Sequence, residues 1–126
     1  MKRPKQRQRA LTAKSADKYD LYQRSVQSPE SDIRFLARIY QTARGRPATH
    51  FREDFCGTAL LTTTWIKRGA RYTAEAFDID PVPLAWGRRH NLAPLGNAAA
   101  RAYLQQKDVR TPSKSPPDIR CAQNFS

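Results

Sequence analysis

The chain has 126 residues, 39% of them hydrophobic, and a formal net charge of +12. That length allows one small domain, and that hydrophobic content is too high for a wholly disordered chain. No apolar run approaches the roughly 20 residues of a membrane span, so a membrane partner is not expected.

Residues 1–14 hold Lys2, Arg3, Lys5, Arg7, Arg9 and Lys14 and no acid. Residues 1–16 are expected to form a basic, disordered tail. Such a tail makes nucleic acid a candidate partner, although no aromatic interleaves it before Tyr19. No apolar segment follows it, so it does not read as a secretory signal. Cys56 and Cys121 lack metal-ligand spacing, and two reduced thiols fit a cytoplasmic protein with no bound metal.

Residues 17–48 read as a helical segment. A short pattern covers 17–27. Ser28-Pro29 then starts a second helix as N-cap and first helical residue. Ile33, Leu36, Ile39 and Tyr40 give it an apolar stripe, and Gly45 and Pro47 end it. Residues 49–126 read as alternating strands and helices. A strand is expected over Thr49–Phe55, a helix over Ala59–Lys67, and a strand over Tyr72–Phe77. A helix opened by Pro81 runs to about Asn91, with Asp80 as its N-cap. A loop follows over 91–97, then strands over Tyr103–Lys107 and Ile119–Gln123, separated by a turn at 112–117. This alternation predicts right-handed βαβ units and a parallel sheet. The sheet would stop after about four strands, with an edge open to a second copy of the chain or to a missing C-terminal half.

Ligands of open parallel sheets lie beyond the strands' carboxyl ends. Four such ends are predicted here: Glu53-Asp54, Asp78, Asp108 and Asn124-Phe125-Ser126. Glu53 and Asp78 are 25 residues apart. That is close to the offset of the ribose-binding acid in nucleotide folds. Gly57 permits close approach of a ligand to the backbone, and the helix start behind it is electropositive. These features suggest a cofactor carrying an adenosine. Asp54 reads as a solvated acid or a partner for Arg52. Cys56 lies near a helix N-terminus, which favours a thiolate, but no histidine pairs with it. His50, His90, Trp65 and Trp86 read as ordinary packing residues.

The segments REDFCGTALL, DIDPVPLAWGRRHNLAPLG and QNFS, with DLYQRSVQSPESDIRFLARIY before them, resemble the class I S-adenosylmethionine-dependent methyltransferases. The likeness is narrower to a bacterial group with an REDFCGT-type first motif, and it runs from about Asp17 to Ser126. It implies a Rossmann-like α/β fold, of which this chain would be the N-terminal half. It implies S-adenosylmethionine as cofactor, with Glu53 and Cys56-Gly57-Thr58 as the first motif. Phe55 and Ala59 stand where that motif usually has glycines. Asp78 would contact the ribose hydroxyls, Ile79 the adenine face and Asp108 the adenine amino group. Asn124 would lie on the substrate side. The catalytic residues and the methyl acceptor are left open. Two other classes stay open on the residues alone: a nicotinamide-dependent oxidoreductase fragment, although the turn lacks GxGxxG, and a nucleic-acid-binding protein without catalytic activity.

Overall fold

The computed structural model describes residues 28–122. The basic tail, the helical pattern over 17–27 and Asn124 lie outside the described residues. Helix α1 spans Pro29–Arg44. It starts as its sequence requires, with Ser28 Oγ accepting from Ser31 N–H at 3.1 Å and proline in the first turn. Gly45, at φ +74°, closes it in the left-handed conformation.

Strand β1 (His50–Asp54), helix α2 (Leu60–Ile66), strand β2 (Thr73–Asp78) and helix α3 (Pro81–Gly87) follow. Strands β3 (Ala102–Gln106) and β4 (Ile119–Cys121) complete one sheet in the order β3-β2-β1-β4. Every pair is parallel, with Glu53 opposite Ala76 on β2 and Cys121 on β4. The order reverses at β1, so the chain crosses from one side of the sheet to the other between β3 and β4. The crevice between β1 and β4 is therefore a topological switch point.

Winding continues past α3, where a loop is expected over 91–97. Arg88–Leu92 form a π-helical turn and Ala93–Arg101 form 3-10 turns with a kink at Gly96. Pro94 sits in the first turn, where its missing N–H costs nothing, and Ala98-Ala99-Ala100 favour helical backbone. Asp80 is the N-cap of α3, accepting from Val82 N–H at 3.0 Å. Among the described residues no helix is long and apolar enough to cross a membrane.

The two faces of the sheet differ in chemistry. Phe51, Ala74, Ala76 and Leu104 pack under the helices, and Phe51 stacks on Trp65 with ring centroids 5.1 Å apart. Trp65 also donates from Nε1 to Thr49 O at 3.2 Å. Both Trp65 and Trp86 are buried and pack, as expected. The opposite face carries Arg52, Asp54, Glu75 and Phe77, covered by the segment between β3 and β4. Arg52 lies 3.8 Å from the centre of the Phe77 ring. It donates to Asp54 Oδ1, Ser113 Oγ and Val109 O. Asp54 also binds Arg120 at 2.7 Å. Of the two readings of Asp54, the solvated one fails: the acid is buried between two arginines.

Asp118 joins the layers at the other end of β1. Its carboxylate accepts from Thr49 N–H at 2.8 Å, His50 N–H at 3.1 Å and Tyr40 Oη–H at 3.1 Å, and pairs with Arg46 at 3.3 Å. Burial alone would raise its pKa. The hydrogen bonds from Thr49, His50, Tyr40 and Arg46 outweigh that and hold it at about 2.

Candidate functional site

The carboxyl ends of β1 and β2 are tied together. Cys56 N–H donates to Phe77 O at 2.9 Å and Gly57 N–H to Asp78 Oδ2 at 2.8 Å. Asp78 Oδ1 accepts from Asp80 N–H at 3.0 Å. Each carboxylate oxygen thus has one backbone donor and keeps a lone pair for a ligand. Ile79, next in sequence, is 66% exposed. Its carbonyl is held by Gln106 Nε2 at 3.4 Å.

The loop between β1 and α2 has an alternating backbone. Phe55, Gly57 and Ala59 have φ of 54°, 57° and 61°. All three are left-handed, a conformation that favours glycine and costs other residues about 1–2 kcal/mol. Two of the three are not glycine. Phe55 sends its ring outward, 43% exposed, and the small Cβ of Ala59 is buried. The loop takes three left-handed positions with glycine at only one of them.

Two residues that sequence reasoning missed hold this loop from behind. A Cβ on Gly87 would lie 2.3 Å from Thr58 O, so only glycine lets α3 come this close. Asn91 Nδ2 donates to the same carbonyl at 2.9 Å. The signal available in the sequence was a glycine inside the apolar pattern that begins at Pro81.

Glu53 is 1% exposed. Its Oε1 accepts from Thr62 N–H at 3.1 Å and from Thr62 Oγ1–H at 2.7 Å, bracing the first turn of α2 against the tip of β1. Burial raises its pKa to about 8, against the opposing pull of the Thr62 bonds. Cys56 is also buried, and its thiol is pushed up by burial and by the acids Glu53 and Asp78. The thiolate expected from the nearby helix start does not form, because desolvation next to two acids outweighs a short helix dipole. Thr58 is buried in the loop.

Asp108 stands apart, two residues beyond β3. It is exposed and accepts from Arg110 N–H, Nε–H and Nη2–H at 2.8, 3.0 and 2.7 Å. The Arg110 side chain and backbone hold its pKa at about 2. The structure therefore brings Glu53, Cys56, Gly57, Thr58 and Asp78 into one knot at the carboxyl ends of β1 and β2, with Ile79 at its rim.

The chain is similar to several solved methyltransferase structures. An amino pentose methyltransferase of calicheamicin biosynthesis from Micromonospora echinaspora, bound to S-adenosylmethionine, superposes with a TM-score of 0.61 at 21% identity over 83% of this chain. A plantazolicin methyltransferase in complex with S-adenosylhomocysteine gives 0.60 at 14% identity over 87%. A glycopeptide N-methyltransferase gives 0.51 at 22% identity over 68%. The fold is the Rossmann-like sheet of class I methyltransferases. The chain spans 41%, 41% and 39% of the lengths of these three proteins. No protein-family model and no curated protein matches it.

Proposed function

We propose that this chain carries the cofactor half of a methyltransferase site and binds S-adenosylmethionine at the carboxyl ends of β1 and β2. The observation that carries this reading is the bond from Gly57 N–H to Asp78, which sets a left-handed loop after β1 beside the carboxylate at the tip of β2. The residues fit the cofactor. Asp78 keeps acceptor capacity for the two ribose hydroxyls, and Ile79 offers an exposed apolar side chain to the adenine. Gly57 is buried in the loop, and its backbone would lie against the methionine part. Glu53 and Thr62 fix α2 so that this loop cannot collapse, and Cys56 and Thr58 act by packing beneath it. Asp108 meets the adenine amino group only by sharing its carboxylate with Arg110. Asn124 remains the candidate on the acceptor side.

The cofactor would supply a sulfonium methyl group, and the protein's part is to hold and orient the two reactants. An amine acceptor would not need a general base. Titration calorimetry with S-adenosylhomocysteine and with NAD tests the reading. Binding of the first and not the second supports it. Binding of NAD alone overturns it.

A further inference from the structure

A second surface lies on the helical layer, away from the strand tips. Helix α2 leaves the tip of β1 and runs back toward the start of β2. Its last residues are therefore remote from Asp78. There α1 and α2 enclose two adjoining concavities of about 480 and 400 Å³. The first is lined by Arg34, Arg38, Gln41 and Arg68, and the second by Arg34, Lys67, Arg68 and one acid, Glu30. Arg34 and Arg68 belong to both, so the two form one groove.

The four cations are not there to neutralise buried acids. Among the described residues none of them forms an ion pair, and Arg34 donates only to Ser31 Oγ at 3.2 Å. Lys67 and Arg68 gain something from the carboxyl end of α2, but Arg34 and Arg38 lie within α1, where no helix terminus favours them. Arg68 is also held in place. Its guanidinium lies 4.8 Å from the Trp65 ring centre and 4.4 Å from that of Tyr72, so its remaining donors face outward at little cost in conformational entropy. Arg34 and Arg38 are four residues apart, about 6 Å along the helix, a spacing that two adjacent phosphates of one strand can match. Phe35 and Ile39, 56% and 50% exposed, line neither concavity but lie on the adjoining outer face of α1. An exposed aromatic next to a basic groove is the combination that binds unpaired bases and their backbone together.

We infer that the groove between α1 and α2 docks a single-stranded nucleic acid, with Arg34, Arg38 and Arg68 on successive phosphates and Phe35 against a base. The surface would hold a polymer to the domain and is separate from the cofactor site. It stands whether or not that site binds S-adenosylmethionine.

The test is fluorescence anisotropy of a labelled oligouridylate with the full chain over a range of salt. The triple variant R34Q/R38Q/R68Q should bind at least tenfold more weakly. Its log affinity against log salt should flatten by about 2, the share of three phosphate contacts on a single strand. Phe35→Ala should narrow the preference for the single strand over a duplex of equal length. Circular dichroism and S-adenosylhomocysteine binding should be unchanged in both variants. An unchanged salt slope in the triple variant overturns the inference, because the phosphates would then lie elsewhere. So does equal binding of single strand and duplex, or binding of polyglutamate as tight as that of oligouridylate.

Discussion

Asp78 and Gly57, 21 residues apart in sequence, are joined by a 2.8 Å hydrogen bond from the glycine N–H to the aspartate carboxylate. The bond makes one object of two strand ends that the sequence presents separately. It also changes what removing Asp78 would do. A ribose-binding acid at a free strand tip could be replaced with no effect on the fold. Asp78 anchors the loop, through Gly57, and the turn, through Asp80. Asp78→Ala should therefore weaken S-adenosylhomocysteine binding at least tenfold and also cost about 1–3 kcal/mol of stability. Asp78→Asn, which keeps acceptor oxygen for one of the two amides, should recover part of the stability and little of the affinity. Calorimetry and urea denaturation read the two effects separately. Unchanged affinity in Asp78→Ala would remove the ribose role.

Gly87 acts at the back of the same loop. Its missing side chain is the space occupied by Thr58 O. Gly87→Ala must push α3 away or displace the loop, because the obstructing atoms are backbone and cannot rotate aside. The expected cost is about 1–3 kcal/mol, as for overpacking of a core. Helix propensity alone favours alanine by close to 1 kcal/mol, so a stabilised Gly87→Ala protein would refute the close contact. Urea denaturation decides the sign.

The elements were legible in the sequence because their signals are local. Ser28-Pro29 and Asp80-Pro81 each mark a helix start with an N-cap and a proline, and both start where expected. The parallel sheet followed from strand and helix patterns in alternation. The winding to about Asn91 was legible, but the turns over Ala93–Arg101 were not, since Pro94 and Gly96 read as loop residues while the alanines behind them wind. The candidate residues could be named by position and not by contact. Asp78 and Gly57 could be named, but not their bond. Nothing local to Glu53 shows that its carboxyl turns inward to Thr62 rather than outward to a ligand. Asp54 shows the same limit. A strand-end acid looks solvated until Arg120, 66 residues away, is placed beside it.

Phe55 tests how far the loop's shape depends on glycine. Its φ of 54° is left-handed, and its ring is 43% exposed, so it gives the core little in return. Phe55→Gly should be neutral to stabilising, by up to about 1 kcal/mol, since relief of the strain is partly offset by the greater freedom of glycine when unfolded. Phe55→Val should destabilise, because a β-branched side chain tolerates positive φ worst. Thermal denaturation of the pair should rank glycine above wild type or equal to it, and valine lowest. The reverse order would mean that the ring packs on something that outweighs the strain.

Asp118 predicts an acid-side loss of stability. Its pKa is about 2 in the fold, against an ordinary value of 3.8. The folded state therefore favours the carboxylate. That contribution is complete above pH 3.8 and disappears as pH falls through 2. Asp118→Asn removes the charge that Arg46 and the two backbone amides bind. It should lower stability at pH 6 and make the fall between pH 4 and 2 shallower than in the wild-type protein. Denaturant midpoints at pH 6, 4 and 2 measure both. Parallel wild-type and variant curves would show that Asp118 does not titrate with folding.

Glu53 should work in the opposite direction. Its pKa rises from 4.5 to about 8 because burial penalises the carboxylate more than the Thr62 bonds favour it. Below pH 4.5 the folded and unfolded states both hold the proton. Between 4.5 and about 8 only the folded state holds it, so stability falls as pH rises through this range and levels off above it. Glu53→Gln keeps an acceptor for Thr62 and cannot ionise. Wild-type protein should lose on the order of 2 kcal/mol between pH 5 and 8 at 1.36 kcal/mol per unit, reduced by relaxation around the site. Glu53→Gln should lose much less over the same range and so be the more stable of the two at pH 8. Glu53→Ala, which strands the Thr62 hydroxyl and amide, should be the least stable at pH 5. If wild type and Glu53→Gln keep the same difference at both pH values, the buried carboxyl is already ionised at pH 5. Its hold on Thr62 is then that of a carboxylate.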